Sequence, residues 1–428
     1  MSTRADVSIL GAGIAGLAAA KHLHDQNLSA HIFEAADEVG GLLAGFTVDG
    51  FRFDQAVHLS FATEPEVRAV FDQTPYHTHK PESLNWDVDK WLRHPVQNNM
   101  FPLPTDEKTD LIRGLVDQTD GPIHNYRDWL VQQYGKPIAE RWPLQYTRKY
   151  WRLDASRLGT GWIGSRMRRA DLSEVLRGAM SEDKSNTYYV KEMRYPEEGG
   201  YFSFIEPLVD PATVSLSHRA QRINTDDRVV HFDNGETHHY RRLISTIPLP
   251  MLIAMAENAP DELKRKAQTL VATQIDLVSV GFSKPDVSPA LWFYIYDEDI
   301  EAARAYSPSW KSPANAPAGC SSLQFEIYSL PDEKVDRSEA FLKENVLYSL
   351  KKMRLADDND ILFMHHKRIS HGNVVFTLGM EEIRAELLAW LSTQDIEVAG
   401  RFGCWGYIWS NQAFMSGLSA ANRVSQTT

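Results

Sequence analysis

Cysteine is nearly absent from this chain: Cys320 and Cys404 are the only two in 428 residues. They stand far apart with no CxxC or paired spacing, so neither a disulfide framework nor a cysteine-based zinc site is expected. Long hydrophobic runs are missing too. The N-terminal apolar stretch is short and broken by glycines, and nothing approaches the roughly 18–20 apolar residues of a membrane span. Positive charge is scarce: 45 Lys and Arg face 57 Asp and Glu, a formal net charge of −12. That balance argues against a nucleic-acid partner, since duplex binders carry a basic face. There is no Ser–His–Asp order, no HExxH and no paired-carboxylate motif, and "FMHHKRISHG" places His365–His366 on a strand, where a structural role is expected rather than a metal pair. The length suits two or three domains. A soluble cytoplasmic protein without an integral membrane segment is expected, its oligomeric state open between monomer and homodimer.

What the chain does have begins at its N-terminus. "ADVSILGAGIAGLAAAKHLHDQNLSAHIFEA" (5–35) reads as strand, glycine turn, helix and strand. Gly11 permits the tight turn, Gly13 lets the backbone approach a pyrophosphate, and Gly16 lets helix and strand pack closely. The first helical turn, with Ala15, directs free N–H groups and a positive dipole end at the phosphates. Glu34 ends the second strand near the expected separation of about 20 residues and can accept hydrogen bonds from a ribose. The combination predicts a Rossmann-type dinucleotide site.

After Glu34 come Gly40–Gly41, Leu42 and an alternating hairpin, Phe46–Phe53. This run resembles the FAD fingerprint of the amine oxidase and protoporphyrinogen oxidase superfamily. "GRFGCWGYIWSNQAFMSGLSAANRV" (400–424) resembles the same superfamily's return segment. The resemblance implies non-covalently bound FAD, with Arg401 at the pyrophosphate, Asn411, Gln412 and Ala413 at the flavin edge, and His58 beside the ring.

Four further islands, "HPVQNNMFPLP" (94–104), "YTRKYWRLDASRL" (146–158), "YPEEGGYFSFIEPL" (195–208) and "GRFGCWGYIWSNQ", are similar in order and rough spacing to UDP-galactopyranose mutases, as is "AVHLSFATEPEV" (56–67). The resemblance implies that a helical domain takes a nucleotide sugar. Tyr146, Tyr150 and Trp151 would meet the nucleotide, Arg166, Arg168 and Arg169 the diphosphate, and Trp405 and Tyr407 the substrate. His58, Arg166, Arg169 and Tyr407 would form the catalytic set. It also implies non-redox chemistry, in which reduced flavin displaces the diphosphate and the sugar recloses with a different ring size. Read from the residues alone, a helix over 138–150 with Trp142, Tyr146 and Tyr150 at i, i+4, i+8 fits core packing as well as a base platform. A second helix is expected at Tyr126–Tyr134.

Several residues depart from the mutase pattern. Phe61 stands in place of a histidine, Trp405 replaces a tyrosine, and Trp409 and Asn411 replace two aspartates. An apolar flavin face suits hydride transfer, so an FAD-dependent oxidoreductase of the amine oxidase, protoporphyrinogen oxidase or desaturase type is the alternative. The expected fold is α/β. A discontinuous FAD domain would take 1–75, 196–285 and 371–428, a helical insertion 76–195, and a mixed-sheet substrate layer 286–370.

Overall fold

The structure is a computed structural model that describes residues 5–164, 166–167, 169–182 and 192–426. The buried strand Val7–Leu10 pairs in parallel with Ala30–Phe33 on one side and Arg242–Ser245 on the other. Val214–Ser215 and Ile396–Val398 complete a five-stranded parallel sheet. Parallel neighbours need a crossover, and the helix Ile14–Asp25 supplies the first. Its alanines and glycine leave a low surface, on which the last helix, Ser410–Ser425, lies close. A Cβ at Gly417 would stand 2.2 Å from the Ala15 carbonyl oxygen.

A second, mixed sheet has seven strands in the order Ile361–Ile369, Gln274–Phe282, Ser321–Ser329, Arg304–Tyr306, Trp292–Ile295, Ser83–Asp87 and Lys90–Arg93. Its membership differs from the segment boundaries read off the sequence. Ser83–Arg93, assigned to the helical insertion, is a strand pair turning through Val88 and Asp89, both at positive φ, as a tight hairpin requires. Gln274–Phe282, assigned to the FAD segments, pairs with both Ile361–Ile369 and Ser321–Ser329. Alternation makes strands of these stretches, and only non-local pairing decides which sheet they join. His365 and His366 lie on Ile361–Ile369, and His366 Nε2 bonds Asp276 Oδ1 at 2.7 Å.

The helices Thr105–Val116, Tyr126–Tyr134, Lys136–Arg141, Pro143–Tyr150 and Leu172–Met180 form the third part. Asn125 caps Tyr126–Tyr134, its side chain accepting from the Asp128 N–H at 3.0 Å. The single helix expected over 138–150 is instead two. Pro143 has no N–H to continue the ladder, and the chain breaks at Trp142 (φ −121°, ψ −72°) before starting again with proline in its first turn. Among the described residues, no helix is long and apolar enough to cross a membrane, and no group of three or more His, Cys, Asp or Glu could hold a metal ion.

Candidate active site

The glycine turn after Val7–Leu10 is built for a backbone-hugging ligand. Gly11 lies at φ +103°, and a Cβ there would meet Thr246 Oγ1 at 2.2 Å; one on Gly16 would meet the Gly11 carbonyl oxygen at 2.0 Å. No side chain caps Ile14–Asp25, so the side chains leave its first N–H groups unclaimed. Gly40 pairs with Gly13 and donates its N–H to the Ala12 carbonyl at 2.8 Å, which brings the second glycine pair against the first. Glu34 is fixed at its strand tip, accepting from Ala12 N–H at 2.7 Å and Ala36 N–H at 2.9 Å. Leu42 follows in the short helical turn Gly41–Leu43. These features fit the pyrophosphate and ribose of FAD.

The loop leaving Phe51–Asp54 carries His58. Ala56 sits at φ +77°, a conformation that costs a residue with a Cβ. Two buried carboxylates hold it. Asp54 pairs with Lys311 and accepts from Tyr195 Oη at 2.9 Å and Tyr201 N–H at 3.0 Å. Glu326 accepts from Val57 N–H at 2.8 Å, Arg304 Nε at 2.5 Å and Tyr328 Oη at 2.5 Å. Burial pushes the His58 imidazole down to about 4, against the pull of Asp54, so it is neutral at pH 7 and donates from Nδ1 to the Ala56 carbonyl at 3.0 Å.

Beside this loop, between the helices and the seven-stranded sheet, lies a cavity of about 650 Å³. Tyr146 and Tyr150 stack along one wall (ring centroids 5.3 Å apart), with Tyr294 edge-on to Tyr146 at 5.4 Å. Tyr150 and Tyr407 share a hydrogen bond between hydroxyls at 3.1 Å. Burial pushes the Tyr150 phenol well up, so its hydroxyl keeps its proton. Arg166 crosses the cavity's end. Its guanidinium lies 5.0 Å from the Tyr407 ring and 4.6 Å from the Trp409 ring, and donates to the Tyr407 carbonyl and to Gln412 Oε1 at 3.2 Å. Arg304 lies 5.6 Å from the Tyr150 ring. Burial works against its charge, but Glu326 together with Tyr328, Tyr150 and Tyr146 outweighs that and holds the pKa well above the usual value.

The residues named from the sequence are thus partly brought together. Tyr146, Tyr150, Trp151, Arg166, Arg169 and Tyr407 all line the cavity. Arg169 is half exposed at its rim, 3.8 Å from Asp120, and Arg168 lies outside the described residues. Trp405 does not line the cavity: it is 1% exposed and packs on Phe402 in the core, with φ +48°. Arg401 is held by the Ile408 carbonyl at 2.9 Å and Asn373 Oδ1 at 3.0 Å, with its face on Tyr407. At the start of the last helix Asn411 bonds Glu64, Gln412 accepts from Trp409 N–H, and Ala413 is buried. Sequence reasoning missed Arg304, Glu326 and Tyr294. The one signal was a charged residue, Arg304 or Glu326, within each of two strand stretches, "RAY" and "SSLQFEIYS".

Residues 14–425 match the family model described as flavin containing amine oxidoreductase. A crystal structure of reduced UDP-galactopyranose mutase superposes with a TM-score of 0.92 at 25% identity, covering 100% of this chain and 95% of that one. A putative protoporphyrinogen oxidase from Exiguobacterium sp. shares the fold at TM-score 0.76 and 17% identity, each chain covered fully. Protoporphyrinogen oxidase 2 of Arabidopsis thaliana is 32% identical over 100 residues, 23% of this chain and 19% of that protein. A 4,4'-diapophytoene desaturase of Staphylococcus aureus is 30% identical over 146 residues, 33% of this chain and 28% of its own length. The matches therefore span less than a third of either curated relative. The cofactor is FAD, and the fold is the α/β flavoprotein fold with its Rossmann-type domain. The chain belongs to the flavin containing amine oxidoreductase family.

Proposed function

We propose that this flavoenzyme is a nucleotide-sugar mutase resembling UDP-galactopyranose mutase, interconverting pyranose and furanose forms for polysaccharide or glycan precursor synthesis. The observation that carries the reading is the convergence of Arg166, Arg304 and the Tyr150–Tyr407 hydroxyl pair on one end of an aromatic-walled cavity. Planar guanidinium forks pair two phosphate oxygens at once, and hydroxyl donors add to them, so this end suits a diphosphate. The stacked Tyr146 and Tyr150 give a flat base a surface. The likeness to reduced UDP-galactopyranose mutase over the whole chain supports the same choice.

Bound FAD, reduced, supplies the electron-rich centre that this chemistry needs at the anomeric carbon. The chain's own residues do the rest. Arg304, oriented by Glu326, and Arg166 stabilise the charge that grows on the departing diphosphate. The aromatic walls exclude water from the reacting sugar. His58, neutral and fixed through Nδ1, supports the loop that faces the flavin. With the same anchor, Glu326, holding both Arg304 and the Val57 N–H, diphosphate site and flavin loop keep a set spacing.

One observation favours the second reading, an FAD-dependent oxidoreductase. Phe61 meets Trp409 edge-on at 4.5 Å, an apolar pair beside the cavity, and the curated relatives are an oxidase and a desaturase. The test is turnover by dithionite-reduced enzyme, without oxygen, against a panel of nucleotide sugars. The mutase reading expects product with no net flavin oxidation. Product formed only with stoichiometric consumption of oxygen or another acceptor would replace it with the oxidoreductase.

A further inference from the structure

A second cavity, of about 560 Å³, lies between the loop carrying Glu38–Gly45 and the segment 202–216. Val39, Ala44, Phe202, Val209 and Leu216 give it apolar walls, and it has two charged lining residues, Glu38 and Arg52. Glu38 is exposed at the rim. Arg52 is half-buried, its Nε is buried without a hydrogen-bond partner, and no described residue gives its guanidinium an ion pair. Leaving a charged donor unpaired away from water is costly.

The guanidinium nevertheless has a built seat. A Cβ at Gly45 would stand 3.4 Å from Arg52 Nη2, and one at Gly200 would stand 2.6 Å from Nε. The Gly45 distance is ordinary contact, and it is Gly200 that makes the space the cation fills. The wall beside it leads to the cofactor turn: a Cβ on Gly40 would meet the Phe202 ring at 2.9 Å, and Gly40 pairs with Gly13. Cavities of several hundred Å³ with apolar walls and one placed polar group are the usual form of small-molecule sites.

We propose that this cavity binds a small amphipathic anion, one carboxylate or phosphate head on an apolar body, with the head on Arg52 and the body against Phe202, Val209 and Leu216. The site is independent of the reaction in the aromatic cavity. Because Phe202 backs Gly40, occupancy braces the glycine turn and slows FAD release.

The test is calorimetric titration of the FAD-bound protein with decanoate and with decyl phosphate, which separate the two head groups, and with decyltrimethylammonium and decanol as controls. At least one anion binds at a saturable site, and both controls bind roughly tenfold more weakly or worse, as loss of a charge-assisted hydrogen bond implies. Arg52→Leu removes the preference for anions and abolishes the slowing of FAD release, but keeps the thermal midpoint of wild type, since no partner is lost. Leu216→Trp, which fills the mouth and spares the cation, gives the same loss and serves if Arg52→Leu does not fold. Equal binding of anion and cation, unchanged anion binding in the variants, or no saturable binding would overturn the proposal.

Discussion

Glu326 has no solvent exposure and receives three hydrogen bonds, from Arg304, Tyr328 and the Val57 N–H. Glu326→Ala leaves Arg304 without its partner in a largely buried position, so unfolding in urea should show a loss of about 3 kcal/mol. Arg304→Lys tests the proposed diphosphate role. A point charge cannot reproduce the fork, so UDP should bind at least roughly tenfold more weakly while FAD occupancy stays intact; unchanged UDP affinity would remove Arg304 from the site. His58 gives a pH prediction. Its folded pKa, about 4, lies below the ordinary 6.5, so between those values the unfolded chain binds more protons than the folded one. Stability therefore falls as pH drops from about 6.5 to about 4. His58→Asn should flatten that part of the stability curve, followed by chemical denaturation at stepped pH.

Contacts between elements were legible in the sequence where they are local. The turn of Gly11, Gly13 and Gly16 with Glu34 is a short-range pattern, and the helix at Tyr126–Tyr134 was readable from its periodicity. Pro143 also stood in plain view as a helix breaker, yet the aromatic spacing of Trp142, Tyr146 and Tyr150 suggested one continuous helix. Arg304 and Glu326 were not legible as a pair, since only strand register sets them opposite each other. Trp405 and Tyr407 are two residues apart, and sequence similarity alone could not say that one enters the core and the other the cavity. The contact between the first and last helices yields a prediction at this scale. Gly417→Ala would place a methyl 2.2 Å from the Ala15 carbonyl oxygen, so the helices must separate. FAD affinity and thermal midpoint should both fall, read by flavin release and calorimetry; an unchanged midpoint would mean that the helices yield without cost.

At the scale of the molecule, the region proposed to hold the cofactor gathers residues from distant parts of the chain: Gly11–Glu34, Gly40–His58, Thr246 and Gly400–Ala413. FAD that binds the folded chain alone stabilises it in proportion to ligand excess, by about 2.7 kcal/mol at a hundredfold excess over Kd. The thermal midpoint should therefore rise with added FAD and fall in the deflavinated protein, and a midpoint indifferent to FAD would count against the cradle described above. The same long-range closure bears on biosynthesis. Val7–Leu10 leaves the ribosome well before two of its sheet partners, Arg242–Ser245 directly and Ile396–Val398 beyond it. The helix Ile14–Asp25 waits for Ser410–Ser425 at the far end of the chain. An apolar strand and an alanine-rich helix thus spend a long stretch of translation without their final partners, a period in which such surface invites aggregation. For this fold the exposed surface of the nascent chain is closed off only once Ser410–Ser425 is made.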